Sequence, residues 1–66
     1  MNIKQLRKQT GLTQSAFWGK FSITQSGGSR YESGRNIPGP VRDLISLAYG
    51  RKKDRARVAK RLGLAL

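Results

Sequence analysis

The sequence predicts an all-α domain, a small bundle of four or five short helices. Three observations lead there. Asn2, Thr13 and Thr24, all good N-cap residues, each stand just ahead of a segment with apolar residues at helical spacing. Gly11 and Gly34 stand where the first and third of those segments must stop. No run of residues carries the alternation and turn signals of strands. With 66 residues the chain has room for one small domain, and such a domain buries only a limited core.

Each element follows from local chemistry. Asn2, with Gln5 three residues on, fits a capping box for the first helix. Ile3 and Leu6 give that helix an apolar side, which Gln9 and Thr10 continue at the same spacing. Thr13 caps a second helix, from about Gln14 to Lys20, whose apolar face is Ala16, Phe17 and Phe21. The turn Phe21-Ser22-Ile23 leads to Thr24, and a third helix runs from about Gln25 to Ser33. "RNIPGP" is a loop by its proline and glycine content. Gly39-Pro40 opens a fourth helix, with proline at its first position and Val41, Leu44, Ile45 and Ala48 as its core face. Asp54 is placed to cap a fifth helix, Arg55 to Leu62, with Val58, Ala59 and Leu62 on one side. The last four residues are expected to fray.

Charge points to the partner. Fourteen Lys and Arg face three acids, a formal net charge of +11. A domain this basic seeks polyanions, with nucleic acid first and an anionic membrane surface second. The cations are unevenly spread: Arg51, Lys52, Lys53, Arg55, Arg57, Lys60 and Arg61 are half of them. A membrane-surface helix needs a wide apolar face with aromatics, and this segment offers Val58, Ala59 and Leu62 with no aromatic, so no membrane partner is expected. With no cysteine and no histidine, disulfides are excluded and neither a metal nor another cofactor is expected. No nucleophile–base arrangement and no pair of acids suits catalysis, so the chain does not read as an enzyme. The N-terminus lacks the apolar stretch of a signal peptide, and the protein reads as cytoplasmic.

The segment "LTQSAFWGKFSITQSGGSRYESGRNIP" resembles the helix-turn-helix DNA-binding domain of phage Cro proteins and repressors, the XRE family. The likeness covers about residues 3 to 49 and lies in several agreeing spacings: Leu-Thr-Gln, an apolar pair, a turn, a capped third helix and a Glu-x-Gly ending. It implies a DNA-binding domain over residues 1–50 with a basic extension over 51–66. It implies a homodimer docking the third helix in the major groove of a double-stranded operator, and so a transcriptional regulator acting as a repressor. Gln25 and Ser26 should then read base edges, with Ser29 and Arg30 further along the same face. A Gln amide can bond adenine bidentately and a Ser hydroxyl can bond several bases. Gln14 is expected to grip a phosphate and steady Gln25. Thr24, Ser33, Arg35 and Asn36, with Arg57 in the tail, are the other phosphate candidates; such contacts fix register without reading sequence. Arg7 and Glu32 match a pair that forms a structural salt bridge in several members. Alternatives are the antitoxin of a toxin–antitoxin pair, which adds a toxin partner, and a basic RNA-binding protein held by charge alone.

Three departures from that pattern matter. Ser22 stands where the family favours glycine with positive φ, so either Ser22 accepts strain or the turn differs. Trp18 stands where a small residue is usual, and Gly28 where Ile or Val is usual. Those positions touch across the turn in the family fold, so Gly28 is expected to leave room for the Trp18 indole. Gly27 is expected to face the groove. A rival account has the paired glycines fraying the helix until DNA orders it, and Trp18 stacking on a base of single-stranded nucleic acid.

Overall fold

The computed structural model describes residues 2–64, which form five helices and no strand. They are α1 (Ile3–Thr10), α2 (Gln14–Gly19), α3 (Gln25–Glu32), α4 (Gly39–Tyr49) and α5 (Lys52–Leu62). The three polar caps work as expected. Asn2 accepts from the Gln5 amide, Thr13 from Ala16 and Thr24 from Gly27, each satisfying an N–H that the helix leaves without a partner. Gly11, left-handed at φ 77°, ends α1.

The core is aromatic. Phe17 and Trp18 are fully buried, and Phe17 meets Trp18, Phe21 and Tyr49 at ring-centroid distances of 5.2, 5.4 and 5.5 Å. Tyr31 joins from α3, 5.5 Å from Trp18. Ile3 from α1 and Ile45 from α4 close the cluster. Trp18 is therefore a core residue and not a stacking platform.

Several boundaries and faces differ from the sequence expectation. Residues Lys20 and Ser33 are C-caps, so α2 and α3 end one residue earlier. Gly39, not Pro40, is the first residue of α4. Its buried side is Val41, Ile45 and Tyr49, at i, i+4 and i+8, while Leu44 is 47% exposed and Ala48 faces out. The stacking of Tyr49 on Phe17 rotates α4 away from the Leu44 side. Ala16 is exposed because Trp18 fills the inward side of that short helix.

α5 begins three residues early. Gly50 and Arg51 are extended, which allows the next helix to start at Lys52, capped by backbone alone. Asp54 therefore lies inside the first turn, where the helix dipole favours an anion, and is no N-cap. Val58 and Ala59 pack inward, yet Leu62 is exposed. Gly63 and Leu64 do not fray: Gly63 is left-handed and the Leu64 N–H bonds the Ala59 carbonyl at 2.8 Å, a Schellman closure. Residues 65 and 66, the rest of the expected frayed end, lie outside the described residues. α5 packs on α4, and Arg61 bonds Asp43 across that seam at 2.6 Å.

Candidate nucleic-acid interface

α3 is placed by its inner side. Arg7 on α1 forks onto Glu32, Nε to Oε2 at 2.8 Å and Nη2 to Oε1 at 3.1 Å. Two donors from α2 complete the shell: Trp18 Nε1 to Oε2 at 2.7 Å and Gln14 Nε2 to Oε1 at 3.3 Å. Four hydrogen bonds fill the acceptor positions of an ionised carboxylate. The Glu32 side chain is 3% exposed, so its charge would be costly without them. Burial alone pushes this carboxyl up, and it is the largest single influence. The hydrogen bonds from Arg7, Trp18 and Gln14, with the Arg7 charge, together outweigh it and hold Glu32 below its ordinary value. The expected Arg7–Glu32 pair is present, and it is part of a larger network.

The paired glycines have distinct causes. A Cβ on Gly28 would overlap Cδ1 and Cγ of the Trp18 indole and lie 2.7 Å from its Nε1. The exchange of large and small residues across the turn is thus real, and only glycine fits there. The side-chain side of Gly27 is turned toward the α2–α3 turn. A Cβ on it would sit 3.2 Å from Ile23 Cγ2 and 3.3 Å from Thr24 Oγ1, crowding the turn. The helix runs unbroken through both. Ser22 takes the strain of the turn, with φ 60°.

Away from the Gly28 and Tyr31 side, α3 presents a polar face that begins next to Glu32. Gln14, Gln25, Ser26, Ser29 and Arg30 line one open depression. These are the four expected base-reading residues together with the expected glutamine of α2. Gln25, Ser26 and Arg30 are exposed there. One detail is corrected: Ser15, not Gln14, steadies Gln25, through Ser15 Oγ to Gln25 Oε1 at 3.3 Å. The Gln14 amide is turned to Glu32 instead, because the buried carboxylate is the stronger acceptor.

The expected phosphate-gripping residues are spread more widely. The Thr24 hydroxyl oxygen accepts from Gly27 as the α3 cap, and Ser33 Oγ donates to the Ser29 carbonyl at 2.9 Å. Beyond Gly34, at φ 115°, exposed Arg35 and Asn36 line a second depression with Tyr31, Ile37 and Arg42. Arg57 lines neither depression; it stands on α5, where it pairs with Asp54 at 3.2 Å and stays 76% exposed. Sequence reasoning missed Ser15, Arg42 and the Trp18 N–H. Arg42 was legible as a cation one turn into α4; the other two depend on rotamers that no spacing reveals.

No helix among the described residues is long and apolar enough to cross a membrane, and no group of His, Cys, Asp or Glu among them is placed to hold a metal ion. A family model described as the RsaL-like HTH domain matches residues 4–48, two thirds of the chain. The match spans the helices from α1 to α4 and stops short of α5. No curated protein and no solved structure matches the chain significantly.

Proposed function

Because this chain belongs to the RsaL-like helix-turn-helix family, a family of DNA-binding domains, we propose that it is a sequence-specific regulator that docks α3 in the major groove of double-stranded DNA. The observation that carries the proposal is the depression lined by Gln14, Gln25, Ser26, Ser29 and Arg30 on a helix held in place through the buried Glu32. Its side chains are mostly neutral hydrogen-bonding groups, which suit base edges, and charge alone would call for a different surface. Arg35, Asn36 and Arg42 on one side, and the cations of α5 on another, supply phosphate contacts.

Within that function the chain acts as a cytoplasmic repressor and not an enzyme, binding as a homodimer and blocking polymerase. The Cro-like spacing of residues 12–38 supports this, and an antitoxin with a toxin partner is a variant of it. Selecting duplexes from random DNA and titrating the best against a scrambled duplex at two salt concentrations tests the proposal. The best duplex should bind far more tightly, and both affinities should fall steeply with salt as counterions return to the phosphates. Equal affinity for both duplexes would sink the proposal and leave a charge-only binder of DNA or RNA.

A further inference from the structure

Two points on α3, one helical turn apart, rest on a single side chain. The Gly28 backbone lies against the face of the Trp18 indole, where even a Cβ would overlap the ring. Four residues on, the Glu32 carboxylate accepts a hydrogen bond from the N–H of the same indole at 2.7 Å. Those points are about 6 Å apart along the helix axis. One contact sets how near α3 lies to α2; the second, being directional, sets its roll. The ring itself cannot turn, since Phe17 meets it edge-on at 5.2 Å and Tyr31 lies 5.5 Å from its centre.

The same carboxylate reaches the outer surface. Its Oε1 takes the Gln14 amide at 3.3 Å, and Gln14 lines the depression with Gln25, Ser26, Ser29 and Arg30. The indole, the carboxylate and the glutamine thus form one hydrogen-bonded path from core to reading face. We infer that Trp18 is a positioning residue for base reading: through Gly28, Glu32 and Gln14 its indole fixes how α3 presents Gln25, Ser26, Ser29 and Arg30. The inference rests on the function proposed above. A filler of the same volume without the N–H would keep the helix spacing but leave the carboxylate to Arg7 and Gln14 alone, free to shift toward Arg7 and to carry the Gln14 amide and the roll of α3 with it. Misaligned amides lose bidentate bonds to a base before they lose contact with phosphates, which tolerate displacement.

The test separates volume from hydrogen bonding. Trp18 is replaced by its benzothienyl analogue, in which sulfur stands for the N–H and the bicyclic ring is kept. Affinities are measured well below the melting temperature, for the preferred duplex and for duplexes altered at single base pairs. The analogue should lower the discrimination at the base facing Gln25 on the order of threefold to tenfold. The salt slope should not change. Unaltered protein that shows no preference among duplexes overturns the proposed function itself. An analogue that melts lower yet keeps the full preference overturns the positioning role alone. A readout on the unaltered chain guards against a variant that does not fold. The Trp18 indole N–H resonance should shift on binding the preferred duplex, and by a different amount on a duplex altered at the Gln25 base. The same shift on both duplexes overturns the role.

Discussion

The α2–α3 pair and α5 treat burial and charge in opposite ways. α2 and α3 hold Phe17 and Trp18 with no exposed surface, a carboxylate with four hydrogen bonds, and just two charged residues on α3, Arg30 and Glu32. α5 holds six cations in eleven residues and buries only Val58 and Ala59. Its two ion pairs, Arg57–Asp54 and Arg61–Asp43, have exposed arginines and contribute little stability. On the function proposed above, the contrast is what a base-reading helix and a phosphate-gripping helix would each require. Bonds to base edges demand placement within a fraction of an ångström, hence a rigid base beneath them. Attraction to phosphates acts over roughly 8–10 Å at physiological salt and tolerates a loosely packed support. The match to the RsaL-like model has the same division, covering α1 to α4 and not α5.

The largest break in that contrast should come from the indole. Trp18→Ala should cost about 3–5 kcal/mol, as the loss of a fully buried aromatic does. Gly28→Val should cost about 1–3 kcal/mol by overpacking against the intact indole. The double variant restores a small–large pair and should be more stable than the two losses added, by about 0.5–3 kcal/mol. Val58→Ala, the matching truncation under α5, removes two methyl groups and should cost only about 1.6 kcal/mol. Denaturant melts give all four numbers. A Val58 loss equal to the Trp18 loss would put α5 in the main core and end the contrast.

Sequence and structure agree wherever one residue type does one local job. Asn2, Thr13 and Thr24 have short acceptors beside free N–H groups, so the helix starts were legible. The Trp18–Gly28 exchange was legible because a large and a small residue had changed places. The face of α4 was not. Val41, Leu44, Ile45 and Ala48 fit a helical stripe as well as Val41, Ile45 and Tyr49 do, and only the stacking on Phe17 decides between them. The start of α5 was misread since Asp54 suits both an N-cap and a first turn. That Gln14, Gln25, Ser26, Ser29 and Arg30 share one surface was legible, but its wiring was not. Gln14 and Ser15 are neighbours at the start of α2, and the pull of a buried carboxylate on Gln14 is a tertiary fact.

Acid should loosen the α2–α3 side first. Glu32 is held below its ordinary value near 4.5 in the folded chain, so its contribution is complete above that pH. It is lost as pH falls through the lower folded value, where the carboxyl takes up a proton and surrenders its charge-assisted bonds. Glu32→Gln should cost roughly 1.5–3 kcal/mol at neutral pH. It should also flatten the fall in stability below pH 4.5. Melts from pH 7 to pH 3 measure both. An acid limb unchanged by Glu32→Gln would show that Glu32 does not carry the acid sensitivity and would reverse the assignment.

The finest division lies between reading and gripping. Gln25 is held by Ser15 and lines the depression of α3; Arg57 reaches out from α5 with 76% of its side chain exposed. Gln25→Ala should cost roughly 1–3 kcal/mol on duplexes carrying the base it reads and nearly nothing on those altered there. Its salt slope should match the unaltered protein, since no cation is lost. Arg57→Ala should act in the other sense, weakening every duplex alike and lowering the slope by about one if it meets a phosphate. Removing Arg57 also leaves Asp54 without its 3.2 Å partner, an uncompensated anion on the basic face. Asp54→Asn alone should therefore strengthen binding to all duplexes, and in the Arg57→Ala background it should recover part of the affinity without restoring the slope. Titrations over a salt series on two duplexes, preferred and altered, resolve these effects. If Arg57→Ala changed the preference between the two duplexes, α5 would take part in reading, and the separation of the two surfaces would fail.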